Sequence, residues 1–90
     1  MKIKDGFVLE EVGGSYVAVA VGERVESFNG MVKLNSTGAF LWKKLEGNDL
    51  TRDELVREVV KAYDGVTEEE VLPGIVAFEK KLRSAGIIAE

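Results

Sequence analysis

The spacing of the apolar residues changes once along this chain of 90 residues. Up to Leu34 they form short runs separated by glycine, whereas beyond it they recur every three or four residues. The first pattern is typical of strands and the second of amphipathic helices. The sequence therefore predicts an α+β fold, a single domain over residues 1–90 in which a small sheet precedes a set of helices.

Three strands are predicted, over residues about 7–12, 16–21 and 31–34. Gly13-Gly14 separates the first two, and glycine reaches positive φ without steric cost, so these strands form a hairpin. Asn29-Gly30 is a second turn signal before the third strand. Three antiparallel strands are about the minimum for a stable small sheet.

Three helices are predicted, over residues about 36–46, 52–63 and 68–85. Thr51 with Glu54, and Thr67 with Glu70, have the spacing of capping boxes at the starts of the second and third helices. Trp42 is expected in the core. Ile87 and Ile88 form an apolar tail expected to pack back onto it. The order β-β-β-α-α-α is compatible with a winged-helix-like arrangement.

Composition narrows the possible functions. The chain has no Cys and no His, so a thiolate nucleophile, an imidazole base and the usual zinc ligands are missing. We therefore expect no enzyme activity, no metal and no cofactor. No apolar run approaches the ~20 residues that span a bilayer. The first residues lack the apolar segment of a signal peptide, so we expect a cytoplasmic protein without a membrane partner.

One motif is distinctive. The segment Leu34-Asn35-Ser36-Thr37-Gly38-Ala39-Phe40-Leu41-Trp42 resembles the L-N-x-T-G-x-x-L-W signature of the PqqD family. The small domain of that family is also known as the RiPP recognition element, where RiPPs are ribosomally made, post-translationally modified peptides. The resemblance extends over nearly the whole chain. It includes the strand at Phe7, the turn from Phe28 to Met31, the helix at Thr51 and the segment Leu82–Ile88.

The resemblance implies a non-catalytic peptide chaperone. Proteins of this family bind the leader of a precursor peptide and present it to a modifying enzyme, often a radical SAM enzyme, in pyrroloquinoline quinone synthesis or another RiPP pathway. The leader typically adds as a strand to the third strand and lies against the third helix. The resemblance thus implies a site at Met31, Val32, Lys33 and Leu34, together with the exposed side of the third helix.

Two stripes run along the predicted third helix. Val71, Ile75, Phe78 and Leu82 have the spacing of an ordinary core face. A second stripe, about 100° round the helix, consists of Leu72, Val76, Glu79 and Arg83. It is either an extension of the core face or one wall of the peptide groove. In the second case Arg83 and Lys33 are available to acidic residues of a leader.

Pro73-Gly74 departs from the family pattern. Proline removes a helical hydrogen bond and clashes with the preceding turn, so a kink there would reshape one end of the groove.

A winged-helix DNA-binding regulator is the main alternative. Arg52, Arg57 and Lys61 would be its cations on the second helix, but acidic residues are interspersed among them. The chain carries 12 basic and 16 acidic residues, a net charge of −4. Since affinity for nucleic acid comes largely from neutralised phosphates, this balance disfavours a DNA or RNA partner.

Overall fold

The structure, a computed structural model, describes residues 1–26 and 30–89. The elements follow in the order β1 (Lys2–Ile3), β2 (Phe7–Val12), β3 (Ser15–Ala20), a 3-10 helix (Gly22–Glu26), β4 (Met31–Leu34), α1 (Ser36–Leu45), α2 (Arg52–Ala62), α3 (Glu68–Ser84) and β5 (Ile88–Ala89). The predicted order of three strands and then three helices is confirmed. The expected turn at Phe28 and Asn29 lies outside the described residues.

The main sheet is antiparallel, with strand order β2-β3-β4. Gly13 and Gly14 have φ values of 57° and 82°, the pair of positive angles that a type I′ hairpin turn requires. This two-residue turn sets Val12 opposite Ser15 and Phe7 opposite Ala20. β4 pairs with β3 and forms one edge of the sheet.

The helix starts are capped as the sequence predicts. The Thr51 hydroxyl accepts from the Glu54 amide at 3.1 Å, and the Glu54 carboxylate accepts from the Thr51 amide at 2.9 Å. The bond from the Thr51 amide to the Glu54 carboxylate, and after it the interaction of the carboxylate with the Thr51 side chain, lower the pKa of Glu54. Thr67 and Glu70 form the second capping box. Each box satisfies backbone donors that the first helical turn would otherwise leave unpaired.

α3 continues through Pro73 as one helix. The amide that proline lacks would have bonded to the carbonyl of Glu69, four residues earlier. Glu69 and Pro73 are both exposed, so water can solvate that carbonyl. The helix is therefore not interrupted at Pro73, and the helix wall extends on both sides of it.

The core lies between the inner face of the sheet and the three helices. Its fully buried large side chains are Trp42, Leu41, Leu45, Leu55, Ile75, Leu82 and Ile87. Trp42 is only 1% exposed, which confirms its expected place in the core. Ile87 and Ile88 are buried, as predicted for the tail.

A second, two-stranded ribbon was not predicted. β1 and β5 pair antiparallel, with Lys2 opposite Ala89 and Ile3 opposite Ile88. The Lys4 amide extends the pairing by donating to the Ile87 carbonyl at 2.8 Å. Strands of two residues are too short to show alternation in a sequence.

Candidate functional site

The outer edge of β4 presents main-chain hydrogen-bonding groups that do not point toward β3. Within residues 1–26 and 30–89, no strand pairs with this edge. The Lys81 ammonium donates to the Lys33 carbonyl at 2.8 Å, so this carbonyl points away from β3. Because the main-chain groups of an antiparallel strand alternate in direction, those of Met31 point the same way. We call the outward N–H and C=O groups of Met31 and Lys33 the β4 rim.

The side chains of β4 divide between the two faces of the sheet. Leu34 is buried and Val32 packs against the core. Met31, at 60% exposed, and Lys33 lie on the outer face. A large apolar side chain exposed on an edge strand is what natural proteins usually avoid, unless the edge is used for pairing.

An apolar groove with a cavity volume of about 420 Å³ begins where β4 runs into α1. Residues from the β4–α1 segment, the end of α2 and one side of α3 form its walls. The lining residues are Leu34, Asn35, Thr37, Gly38, Leu41, Val59, Tyr63, Val66, Glu70, Val71, Gly74, Ile75, Ala77, Phe78 and Lys81. Lys81 joins the two features, since it lines the groove and contacts the β4 rim.

Two glycines shape this groove. A Cβ atom at Gly38 would lie 3.2 Å from the Asn35 Oδ1 and 3.2 Å from the Leu34 Cβ, tighter than ordinary contact. Gly38 thus lets the start of α1 approach β4, and its amide donates to the Asn35 cap at 2.7 Å. A Cβ at Gly74 would meet nothing within 4 Å. At that position the missing side chain keeps the groove open.

Tyr63 stands at the groove wall beyond the end of α2. Its ring meets that of Phe40 edge-on, with centroids 5.5 Å apart. Tyr63 is the last residue of the helix predicted over residues 52–63, and helical spacing does not distinguish it from a core residue. In the structure it is exposed and available to a bound molecule.

The second stripe of α3 lies elsewhere. Leu72, Val76, Glu79 and Arg83 do not line the groove, and the core stripe of Ile75, Phe78 and Leu82 separates them from it. Val76, Glu79 and Arg83 border a separate hollow of about 140 Å³ with Arg52 of α2. Of the residues expected at the site, the structure therefore brings Met31, Val32, Lys33 and Leu34 to the open edge. It places the four helical residues on the other flank of α3.

Glu79 ties α3 to α2. It is 7% exposed, and its carboxylate accepts from Arg52 Nε at 3.0 Å and from Arg83 at 2.6 Å. The hydrogen bond from Arg52 lowers the pKa of Glu79, while burial opposes the shift and the bond from Arg83 adds to it. Both arginines are thereby held in an internal ion-pair cluster on this flank.

Other kinds of site find little support in the described residues. They contain no group of three or more acidic side chains arranged to hold a metal ion. Two of the three cations considered for DNA contact on α2 are paired, Arg52 with Glu79 and Lys61 with Glu58. None of the helices described here has the length and apolar character needed to cross a membrane.

Comparisons with known proteins agree with this fold. A family model described as Coenzyme PQQ synthesis protein D (PqqD) matches residues 7–88. A solved structure, "TbiB1 in Complex with the TbiA(beta) Leader Peptide", aligns with a TM-score of 0.72 at 20% identity, covering 100% of both chains. At that identity the likeness establishes the fold alone. A search of curated protein sequences gives no match.

Proposed function

Because this chain belongs to the PqqD family, we propose that it binds the leader segment of a ribosomally made precursor peptide and catalyses no reaction itself. The observation that carries the proposal is the β4 rim beside an apolar groove. An extended peptide can add to an open edge, gaining affinity from main-chain bonds and specificity from side-chain pockets. The solved structure of the same fold contains a leader peptide, which supports this reading.

In this proposal the leader forms a fourth strand on Met31–Leu34, and its side chains enter the groove. The helical wall consists of the groove face of α3, including Val71, Gly74, Phe78 and Lys81. The stripe of Leu72, Val76, Glu79 and Arg83, for which the sequence left open a place in the core face or in the groove wall, stays outside the contact in this proposal.

The bound leader would then be presented to a modifying enzyme, of the radical SAM class or another. This part of the proposal rests on family membership. The encounter is proposed to occur in the cytoplasm, where ribosomally made precursors are released.

A pair of proline variants tests the open edge. Lys33→Pro removes an amide of the β4 rim that makes no bond to β3. Val17 lies opposite Lys33 on β4 and opposite Glu10 on β2. Because the main-chain groups of Lys33 point away from β3, those of Val17 point toward β2 and bond to Glu10. The main-chain groups of Glu11, the next residue, therefore point outward from the other edge of the sheet. Glu11→Pro is therefore the matched control, and Lys33→Ala separates the lysine side chain from its amide.

The ligand for this test is the N-terminal segment of a short open reading frame encoded beside the gene, titrated by calorimetry. We expect Lys33→Pro to weaken binding at least about fivefold, the value of one main-chain hydrogen bond near 1 kcal/mol. Glu11→Pro should bind as the unmodified protein does. Equal binding by all variants, or amide shifts on titration confined to α1 and α2, would contradict a site on β4.

A further inference from the structure

Two lysines border the proposed peptide slot, by which we mean the space along the β4 rim and the adjoining groove. Neither lysine has a carboxylate partner. In the part of the chain that the structure describes, no acidic oxygen lies within 4 Å of the Lys33 or the Lys81 ammonium. Some of the other cations do have such partners, as Lys44 has Glu58 and Arg52 has Glu79. The slot therefore carries positive charge that the domain itself does not neutralise.

The acidic side chain that lines the groove is already engaged. Glu70 accepts through Oε1 from the Thr67 amide and hydroxyl, at 3.2 Å and 3.0 Å. This carboxylate belongs to the N-terminal cap of α3, about three turns from Lys81 along the helix. The two ends of the groove thus differ in charge: a carboxylate held by its helix cap lies at the start of α3, and the Lys81 ammonium lies next to β4.

Adding a strand to β4 changes the surroundings of Lys81. A peptide amide that pairs with the Lys33 carbonyl competes with the Lys81 ammonium, which now donates to it at 2.8 Å. The released ammonium remains at the groove wall, where the peptide covers it and removes water from it. A charged group that loses water without gaining a partner raises the free energy of the complex. A carboxylate on the peptide relieves that penalty.

We propose, on the basis of the peptide-binding function above, that Lys81 is a specificity-determining residue. It selects a peptide with Asp or Glu at the position whose side chain faces α3 beside Lys33. In the free protein the Lys81 ammonium donates a hydrogen bond to the Lys33 carbonyl, the group with which the peptide pairs in the complex. In the complex it passes from that carbonyl to the peptide carboxylate, so pairing and charge recognition occur together.

The effect on affinity follows from the exposure of the pair. Lys81 is exposed before binding and is covered by the peptide in the complex. We therefore expect the free energy of its ion pair to lie toward the upper end of the range for surface pairs. We expect a neutral residue at this peptide position to bind about fivefold more weakly than Asp or Glu. A basic residue there should bind more weakly still.

A displayed library of random 12-residue peptides provides the probe, because it assumes no particular precursor. The library is selected in parallel on the unmodified protein, Lys81→Gln, Lys81→Glu and Lys80→Gln. Lys80 is the matched control, since it is exposed on the same helix but borders the hollow around Arg83 rather than the groove. Circular dichroism of each variant establishes that it is folded.

The inference predicts that peptides selected on the unmodified protein and on Lys80→Gln share Asp or Glu at one register. Lys81→Gln should lose that preference, and Lys81→Glu should replace it with Lys or Arg. Binding peptides with no acidic preference, or with one that survives in Lys81→Gln, would overturn the inference and leave the proposed function standing. If no peptide is enriched on any folded variant, the proposed function fails and the inference fails with it.

Discussion

At the scale of single residues, Glu79 shows how a buried charge can be structural. Its carboxylate is nearly covered, yet it receives donors from two helices, Arg52 on α2 and Arg83 on α3. A buried charge is tolerated when it is paired and hydrogen-bonded in this way. The cluster fixes the contact between α2 and α3 and thus supports the groove on the opposite flank of α3.

The cluster predicts a pH-dependent loss of stability. Glu79→Gln should lower the free energy of unfolding by about 1–2 kcal/mol at pH 7, because charge-assisted hydrogen bonds are replaced by weaker ones. The pKa of Glu79 is lowered in the folded protein, so its contribution is fully present above the unfolded pKa of about 4.3. It declines as the pH falls below that value through the folded pKa.

Urea denaturation at pH 7 and pH 3 measures this difference. Glu58→Gln is the control, since Glu58 pairs with Lys44 and Lys61 at 4.0 Å and 3.6 Å on the surface. Its loss should be about 0.5 kcal/mol or less. A gap between Glu79→Gln and the unmodified protein that is as large at pH 3 as at pH 7 would contradict the assigned cause.

Glu79 also marks a limit of the sequence. Helical spacing grouped Glu79 with Leu72, Val76 and Arg83, and the four residues do lie on one flank of α3. Spacing alone does not say which neighbour covers a face, because the partner Arg52 lies 27 residues earlier in the chain. The capping boxes, by contrast, depend on residues three apart and were predictable at both helices.

At the scale of elements, α3 combines a proline that it tolerates with a glycine that opens the groove. Pro73 lies on the exposed side, while Gly74 lines the groove. Glycine in a helix interior is less favourable than alanine by about 1 kcal/mol. Gly74 therefore makes α3 somewhat less stable as a helix but leaves space in the groove beside β4.

Filling that space should separate stability from binding. Gly74→Ala should raise the free energy of unfolding by up to about 1 kcal/mol, since a Cβ there meets no neighbouring atom. Gly74→Leu should keep the fold but block the groove, so that leader binding measured by calorimetry weakens. Ala77→Leu, at another groove position, provides a second blocking variant. Undiminished binding by Gly74→Leu would place the peptide elsewhere.

The strands of the main sheet were predictable and the short ribbon was not. β2 and β4 have the expected bounds, whereas β3 begins and ends one residue earlier than expected. Its earlier start reflects the pairing of Ser15 directly beyond the Gly13-Gly14 turn. β1 and β5 have two residues each and are joined across nearly the whole chain. Such pairing follows from tertiary packing, which local patterns do not encode.

At the scale of the whole molecule, the C-terminal tail is part of the core. Ile87 is fully buried, and its amide continues the helix end by donating to the Leu82 carbonyl at 2.9 Å. A domain of this size has a net stability of only about 5–10 kcal/mol. Loss of one such side chain should therefore remove a large part of it.

Ile87→Ala should lower the free energy of unfolding by about 3 kcal/mol, the usual cost of deleting a large buried side chain. Val12→Ala is the control, because Val12 is 61% exposed at the hairpin end and its truncation should change stability by about 0.5 kcal/mol or less. Equilibrium urea unfolding compares the two. Similar midpoints for both variants would show that the tail is not integral to the fold.

The β1–β5 ribbon has a consequence for how this domain can be joined to other polypeptides. Lys2 and Ala89 are paired across the ribbon, so polypeptide segments attached before Lys2 and after Ala89 would start close to each other on the same side of the domain. A host protein could therefore carry this domain as an insertion joined by linkers of only a few residues. The insertion would not push apart the host segments that precede and follow it.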